Sequence, residues 1–394
     1  MIISILGTSG ARIDRESCLP TELNKAPLYD LEIFGKESKE YKNSTEFLLK
    51  NYDDEFIFVG TKCAITFQQT LLKEDLKNKN VTFKEVSEND LDEIFEAIYE
   101  ILEDRDDVIL DITHGFRHQP IMAIFASTLS QFLQRKDIKI IFAKEVKQYR
   151  EYQYVYLDEY IEITQISFLL SGFIKTLNFI PSKDMKLLNN RAFEDFSKSL
   201  LSNDLLGVEK NYKILQSEIT RLKNDDEFRH IHKLLDQVSE ELAIFSEFDD
   251  KTKAYKKYLE LAKLTVKKNY LIISLAYIFE SFREYCVVGF TPVLKDIKLK
   301  KGYQTNTATM DTIGGFVRNG KKNKIQQKYP DIYKNNKSIF DRVNTIYKEV
   351  RDLRNDLAHI NQTEEFDDIK KKLLGIIFKI ESLYKDDIFK KMKF

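Results

Sequence analysis

The sequence predicts an α/β domain over residues 1–165 followed by an all-α domain over residues 166–394. Strand-like and helix-like segments alternate through the first part, the pattern of a sheet with crossover helices. After Ile163 the texture changes, and from Ser167 onward apolar residues recur at helical spacing with almost no strand signal. A chain of 394 residues also exceeds one ordinary core, so two domains are expected.

MIISILG reads as a first buried strand, since it lacks the basic start and the apolar length of a signal peptide. EFIFVGT, VTFKEVS, DVILDITHG and IKIIFAKEV follow as β-branched or aromatic strands. LDEIFEAIYEILED and PIMAIFASTLSQFLQR are amphipathic helices between the later ones, with Pro120 suited to a first helical turn. EYQYVYLDEYIEIT alternates polar with aromatic or β-branched residues around a central Asp-Glu, and reads as a hairpin on the sheet edge. In the second domain Leu271, Leu275, Ile278, Phe282 and Cys286 form a stripe at the helical period. The most apolar runs, ISFLLSGFIKTLNFI and NYLIISLAYIFESFREYC, carry charges and fall short of about 20 clean apolar residues, so they are core helices and no membrane span is expected. Residues 295–328 are turn-rich, with nine basic residues against two acidic, and read as a basic insertion whose plainest role is a solvated connection.

Hydrophobic residues at 43% and aromatics at 12% supply enough apolar area for real cores. With 62 basic and 63 acidic residues the formal charge is -1, so no global field draws the protein to nucleic acid or membrane and any polyanion site must be local. Cys18, Cys63 and Cys286 are odd in number, far apart and without CxxC spacing. They suggest neither a disulfide framework nor a zinc site, and a reducing cytoplasm is the expected compartment.

Three strand ends share a character: GTSG at Gly7 to Gly10, GTK at Gly60 to Lys62, and DITHGFR at Asp111 to Arg117. In an open parallel sheet ligands bind outside the carboxyl ends of the strands, where glycines, hydroxyls and basic groups meet phosphates. Each loop alone reads as ordinary turn chemistry, and the convergence of three points to a site. The spacing is that of neither a phosphate loop nor a dinucleotide fingerprint, which argues against a kinase or an NAD enzyme. His114 is open to three roles, as metal ligand, base or hydrogen-bonding loop residue. Only His118 lies near it, so no metal is expected, and Asp111 is placed to cap or orient the loop. His230 and His232, two apart on an apparent helix, point away from each other and read as surface residues.

DITHGFRHQP resembles the DxTHGxR signature of CRISPR-associated proteins carrying a CARF domain, a Rossmann-like sensor of cyclic oligoadenylate, and GTSG matches that domain's other loop. The resemblance implies ligand contacts at Thr8, Ser9 and Gly10 and at Thr113, His114 and Gly115. By position rather than pattern, it extends to Thr61, Lys62 and Arg117. RNDLAH, Arg354 to His359, reads alone as a solvated helix face. Behind such a sensor it resembles the R-x(4-6)-H motif of HEPN ribonucleases, in the R-N-x-x-x-H form.

The combined resemblance implies a cyclic oligoadenylate-activated endoribonuclease of type III CRISPR defence acting on single-stranded RNA without a metal or cofactor. His359 moves a proton near neutral pH and Arg354 stabilises the charged phosphorus of the transition state. The RNA 2′-hydroxyl attacks the adjacent phosphate and leaves a 2′,3′-cyclic phosphate, so DNA is no substrate. Asn355, four residues before His359 on one helix face, is placed to hold the imidazole, and Arg351 is a further phosphate contact. At 100° per residue, Arg354 and His359 lie about 140° apart around one helix, so two copies meeting at a two-fold axis would pool these groups; a homodimer is expected. Rings of four and six adenylates both possess a two-fold axis, and the resemblance favours four. Glu280 and Arg283 read as an intrahelical ion pair beside this site. Two rival readings stay open: the sensor loops cut their own ring with His114 or Lys62 assisting, or the protein is a nucleotide-gated regulator without turnover.

Overall fold

The computed structural model describes residues 1–14, 16–23, 25–103, 105–134, 137–181, 184–249, 251–294, 330–358 and 365–393. They form two compact units, Met1–Ile166 with Pro181–Leu188, and Ser167–Ile180 with Asn189–Phe394.

In the first unit the strands are β1 (Ile2–Ile5), β2 (Arg12–Ile13), β3 (Pro20–Glu22), β4 (Leu28–Asp30), β5 (Lys39–Glu40), β6 (Glu55–Gly60), β7 (Asn80–Glu85), β8 (Asp107–Asp111), β9 (Asp137–Lys147) and β10 (Glu151–Tyr156). Its helices are α1 (Ser44–Asn51), α2 (Lys62–Leu71), α3 (Lys73–Leu76), α4 (Leu91–Glu103) and α5 (His118–Gln134), and the division between units falls inside α6 (Asp158–Thr176). Apart from the β2–β3 pair, the strands make one sheet in the order β5-β4-β10-β9-β8-β1-β6-β7. The run from β9 to β7 is parallel throughout, with β1 paired to β6 on one side and β8 on the other. Every residue of β1 is buried, as a central strand covered on both faces requires, which is why IISI is continuous rather than alternating. Ile2, Phe56, Phe58 and Leu48 belong to the core on one face, and Ile3, Ile5, Val108, Leu110, Ile94 and Ala123 to the core on the other.

Two expectations are corrected here. EYQYVYLDEYIEIT is no hairpin: its first half is β10, antiparallel to β9, and its second half begins α6. Asp158 ends the strand by accepting a hydrogen bond from the Ile140 amide at 2.8 Å, and Ile161 packs into the sheet core from the helix. The sheet edge beyond β10 is built instead from β4 and β5, whose two or three residues are too short to show a period. Second, Cys18 and Cys63 are joined as a disulfide, which their separation of 45 residues concealed. The fold brings the loop after β2 to the start of α2, and only Cys286 is free and buried.

The second unit is helical among its described residues: α7 (Asn190–Leu201), α8 (Leu205–Lys223), α9 (His232–Glu241), α10 (Ala254–Lys267), α11 (Leu271–Leu294), α12 (Pro330–Asn335), α13 (Lys337–Ala358) and α14 (Phe366–Lys385), with intervening 3₁₀ turns. The stripe from Leu271 to Cys286 is buried, and α11 packs against α10, α13 and α14. Buried tyrosines bind these helices by their hydroxyls: Tyr277 donates to the Leu200 carbonyl at 2.7 Å and Tyr285 to the Leu383 carbonyl at 3.0 Å. His230 is exposed in a 3₁₀ turn, whereas His232 opens α9 half-buried, so only the first is a plain surface residue. The 295–328 insertion lies outside the described residues.

At the end of β8 the buried Asp111 carboxylate accepts hydrogen bonds from Ser4 Oγ at 2.8 Å, Ser44 Oγ at 3.1 Å, the Thr113 amide at 3.1 Å and Thr113 Oγ1 at 2.5 Å. It ties β1, α1 and the following loop together. Asp111→Ala strands these donors in the interior and is expected to destabilise the first unit by about 3 kcal/mol, read from its urea-unfolding midpoint.

Candidate functional site

Because β1 lies between β6 and β8, the carboxyl ends of the three strands are neighbours and their loops converge. GTSG folds as a tight turn in which the Ala11 amide donates to the Thr8 carbonyl at 2.9 Å. Ser9 and Gly10 at its centre have φ of 52° and 73°, the left-handed region that a turn of this hand needs. Gly7 faces Gly115: a Cβ on Gly7 would sit 2.7 Å from the Gly115 amide nitrogen. Gly115 has φ of 97°, and a Cβ there would meet Ile5 Cγ2 at 2.6 Å and Gln119 Oε1 at 2.7 Å. The two backbones approach as closely as they do only because both residues lack a side chain.

Side chains outside the motifs hold these loops. Asn43 caps α1 through its Oδ1 and donates Nδ2 to Gln68 Oε1 at 2.8 Å, and Gln68 Nε2 donates to the Gly7 carbonyl at 2.7 Å. Gln119 Oε1 accepts from the Phe116 amide at 3.0 Å. Thr113 Oγ1 is used inward, donating to Asp111 and accepting from the Ala143 amide at 2.9 Å. Thr61 caps α2 by accepting from the Ala64 amide at 3.3 Å, which puts Lys62 exposed in the first turn of the helix.

The loops enclose a cavity of about 570 Å³ lined by Leu6, Gly7, Thr8, Ile13, Thr61, Cys63, Ala64, Glu88, Gly115 and Phe116. Of the residues expected to meet a ligand, Gly7's neighbour Thr8, together with Thr61 and Gly115, forms its wall. Ser9, Gly10, Lys62, Thr113, His114 and Arg117 do not. Lys62 and Arg117 are exposed, while Ser9 Oγ lies 3.4 Å from His114 Nε2. Burial lowers the His114 imidazole below its ordinary pKa, against the pull of Asp111. Ile13, Cys63 and Glu88 carried no sequence signal, because a single apolar or acidic residue outside a motif has none, and Phe116 fills the open position of DxTHGxR. The Cys18–Cys63 disulfide fastens the loop between β2 and β3 to the α2 end of this wall.

In the second unit α13 carries Arg351, Arg354 and Asn355, and His359 lies outside the described residues. Arg351 donates Nε and Nη2 to Asp352 Oδ1 at 2.9 and 2.6 Å. Arg283 on α11 is buried and pairs with Glu280 and Glu284, as its helical spacing from Glu280 foretells. Arg354 is different: it is exposed, and its guanidinium lies over the Phe279 ring at 5.3 Å from the centroid. Asn355 is exposed beside it. Burial raises the Glu280 carboxyl above its usual range, while Arg283 and Arg354 draw it down. Among the described residues no group of three or more His, Cys, Asp or Glu gathers as a metal site, and no helix is long and apolar enough to cross a membrane.

A mixed, Rossmann-like sheet with a cavity at the ends of its parallel strands defines an α/β domain, followed in the chain by a helical region consistent with a HEPN domain. Residues 23–150 match the family model described as CRISPR system endoribonuclease Csx1, CARF domain. The match supports a CRISPR-associated, CARF-containing family for the first unit and leaves the helical unit outside it. No curated protein matches the chain.

Two outcomes test this construction. Gly115→Ala forces a side chain into the Ile5 and Gln119 contacts and is expected to destabilise the first unit by about 1–3 kcal/mol in urea unfolding. His114 titrates lower in the folded chain than its ordinary 6.5, so the stability tied to its neutral form is complete above that pH and is lost as pH falls below it. Between about pH 7.5 and about pH 5, His114→Gln should therefore show a shallower fall in urea midpoint than the unsubstituted chain.

Proposed function

We propose that the protein is a homodimeric, cyclic oligoadenylate-activated endoribonuclease that cuts single-stranded RNA without a metal. The observation that carries this reading is the state of Arg354. Arg283 and Arg351 spend their donors on carboxylates, whereas Arg354 is exposed and packs on a ring, with its N–H edges turned to no ion pair among the described residues. A planar cation held in that way suits a phosphate, which it can meet with two parallel hydrogen bonds.

In the reaction the 2′-oxygen forms a bond to the adjacent phosphorus while the bond from phosphorus to the 5′-oxygen breaks. The 2′-hydroxyl gives up its proton, and the leaving 5′-oxygen gains one. His359 is the group suited to that transfer near neutral pH, Asn355 to holding its ring, and Arg354 to balancing charge on the phosphorane oxygens. At 100° per residue, positions 354 and 359 of a continuous helix would lie about 140° apart, so in this reading two copies complete the site. An exposed apolar stripe on α5, with Ile121 at 48%, Phe125 at 56% and Leu129 at 40% exposure, supports pairing of the sensor units.

The ring ligand belongs at the cavity of Thr8, Thr61 and Gly115, with Ser9, Gly10, Thr113, His114, Lys62 and Arg117 on the same loops but outside its wall, and a ring of four adenylates is favoured. A two-fold ring matches a two-fold sensor, and it activates by binding the cutting arrangement more tightly than the resting one. The basic 295–328 segment is suited to attract RNA by charge.

Purified protein is mixed with single-stranded RNA, single-stranded DNA and a panel of cyclic oligoadenylates in the presence of a chelator. The expected result is RNA cleavage with one ring size, 2′,3′-cyclic phosphate ends and intact DNA. Arg354→Ala and His359→Ala should each lower the rate by about 10²–10⁴-fold with ring binding unchanged by calorimetry. Intact RNA with every ring overturns the reading, and loss of labelled ring in the His359→Ala variant would instead favour a sensor that cuts its own ligand.

A further inference from the structure

The ring beneath Arg354 belongs to Phe279, a half-buried residue of α11 that lies one turn from the buried Leu275 and Phe282. It is half-buried beside that stripe, whereas Arg354 occupies an exposed position of α13. An exposed arginine has about 2 kcal/mol of rotamer freedom to lose when it grips a ligand. A carboxylate partner would remove that freedom but would also neutralise the charge and fill the donor fork. An aromatic face removes it without using any N–H, because the contact is made through the face of the guanidinium plane.

The neighbouring Glu280 does not do this work. Arg354 lies near enough to draw its carboxyl down, but its Oε1 accepts from Arg283 Nη1 at 3.1 Å and its Oε2 also pairs with Arg283, and among the described residues it makes no ion pair with Arg354. Among the described residues, the Phe279 ring is the contact that can orient Arg354.

We propose that Phe279 is a positioning residue for the reaction, a platform that holds the Arg354 guanidinium flat and leaves its in-plane donors free for the scissile phosphate. The inference rests on the ribonuclease reading of Arg354. It locates part of the site on α11, outside the RNDLAH segment that suggests the site in the first place.

The test compares Phe279→Leu and Phe279→Met, which keep apolar bulk but lose the ring, with Phe279→Tyr and Phe279→Trp, which keep it. All four are assayed in the full chain with activating ring and saturating RNA, beside Arg354→Ala. The aliphatic variants are expected to lose roughly three- to thirtyfold in kcat, with KM changed by less than about twofold, while the aromatic variants hold the rate. A second measurement is independent of activity: side-chain NMR of Arg354 should show ring-current shifts at Cδ and Nε–H that vanish in Phe279→Leu. Equal loss in aromatic and aliphatic variants, or absence of the ring-current shift, overturns the platform. Full activity in Arg354→Ala, with the ring-current shift present in the unsubstituted chain, overturns the catalytic role of Arg354 instead.

Discussion

The first unit depends on the close approach of two strand ends. Gly7 after β1 and Gly115 after β8 sit backbone against backbone, and neither position has room for a Cβ. That approach lets the GTSG and THG turns share one cavity, and it is secured from below by Asp111, whose carboxylate collects hydroxyls from β1, α1 and its own loop. A buried carboxylate with this many donors is stable only when all of them are present, so the motif's aspartate acts as a structural tie rather than as a ligand group.

This changes how the motif residues divide their labour. Thr113 turns its hydroxyl inward to Asp111 and the Ala143 amide, and His114 sits beside Ser9 with its imidazole kept neutral by burial. The cavity wall is made by glycine backbone, Thr8 and Thr61, with Glu88 as an acidic member. Backbone amides and hydroxyls can meet a phosphate without a fixed cation on the wall, and the exposed Lys62 and Arg117 supply positive charge outside it. A chain with 62 basic and 63 acidic residues has no general field, so such local arrangements decide what it binds.

In the helical unit the same economy appears in the arginines. Arg221, Arg283, Arg342 and Arg351 answer carboxylates, whereas Arg354 is set on an aromatic ring and has no ion pair among the described residues. That Arg354 meets a ring follows from how α11 and α13 pack, a relation between residues 279 and 354 that no local spacing encodes.

Much was legible without coordinates. Continuous apolar runs and helical stripes mark β1, β6, β8, β9, α4, α5 and the core face of α11, because burial on both faces or on one stripe writes a period into the chain. GTSG and DITHGFR are legible as turns since glycine and small polar residues are needed there whatever surrounds them. Tertiary structure alone decided the rest. The β4 and β5 edge is too short to carry a pattern, α6 hides its helical start behind an accidental alternation, and Cys18 meets Cys63 across 45 residues. Gln68 and Asn43 hold the Gly7 loop, and Phe279 seats Arg354, through contacts between segments distant in sequence. A sequence records what each segment must bury by itself; which partner it meets is set only when the segments pack.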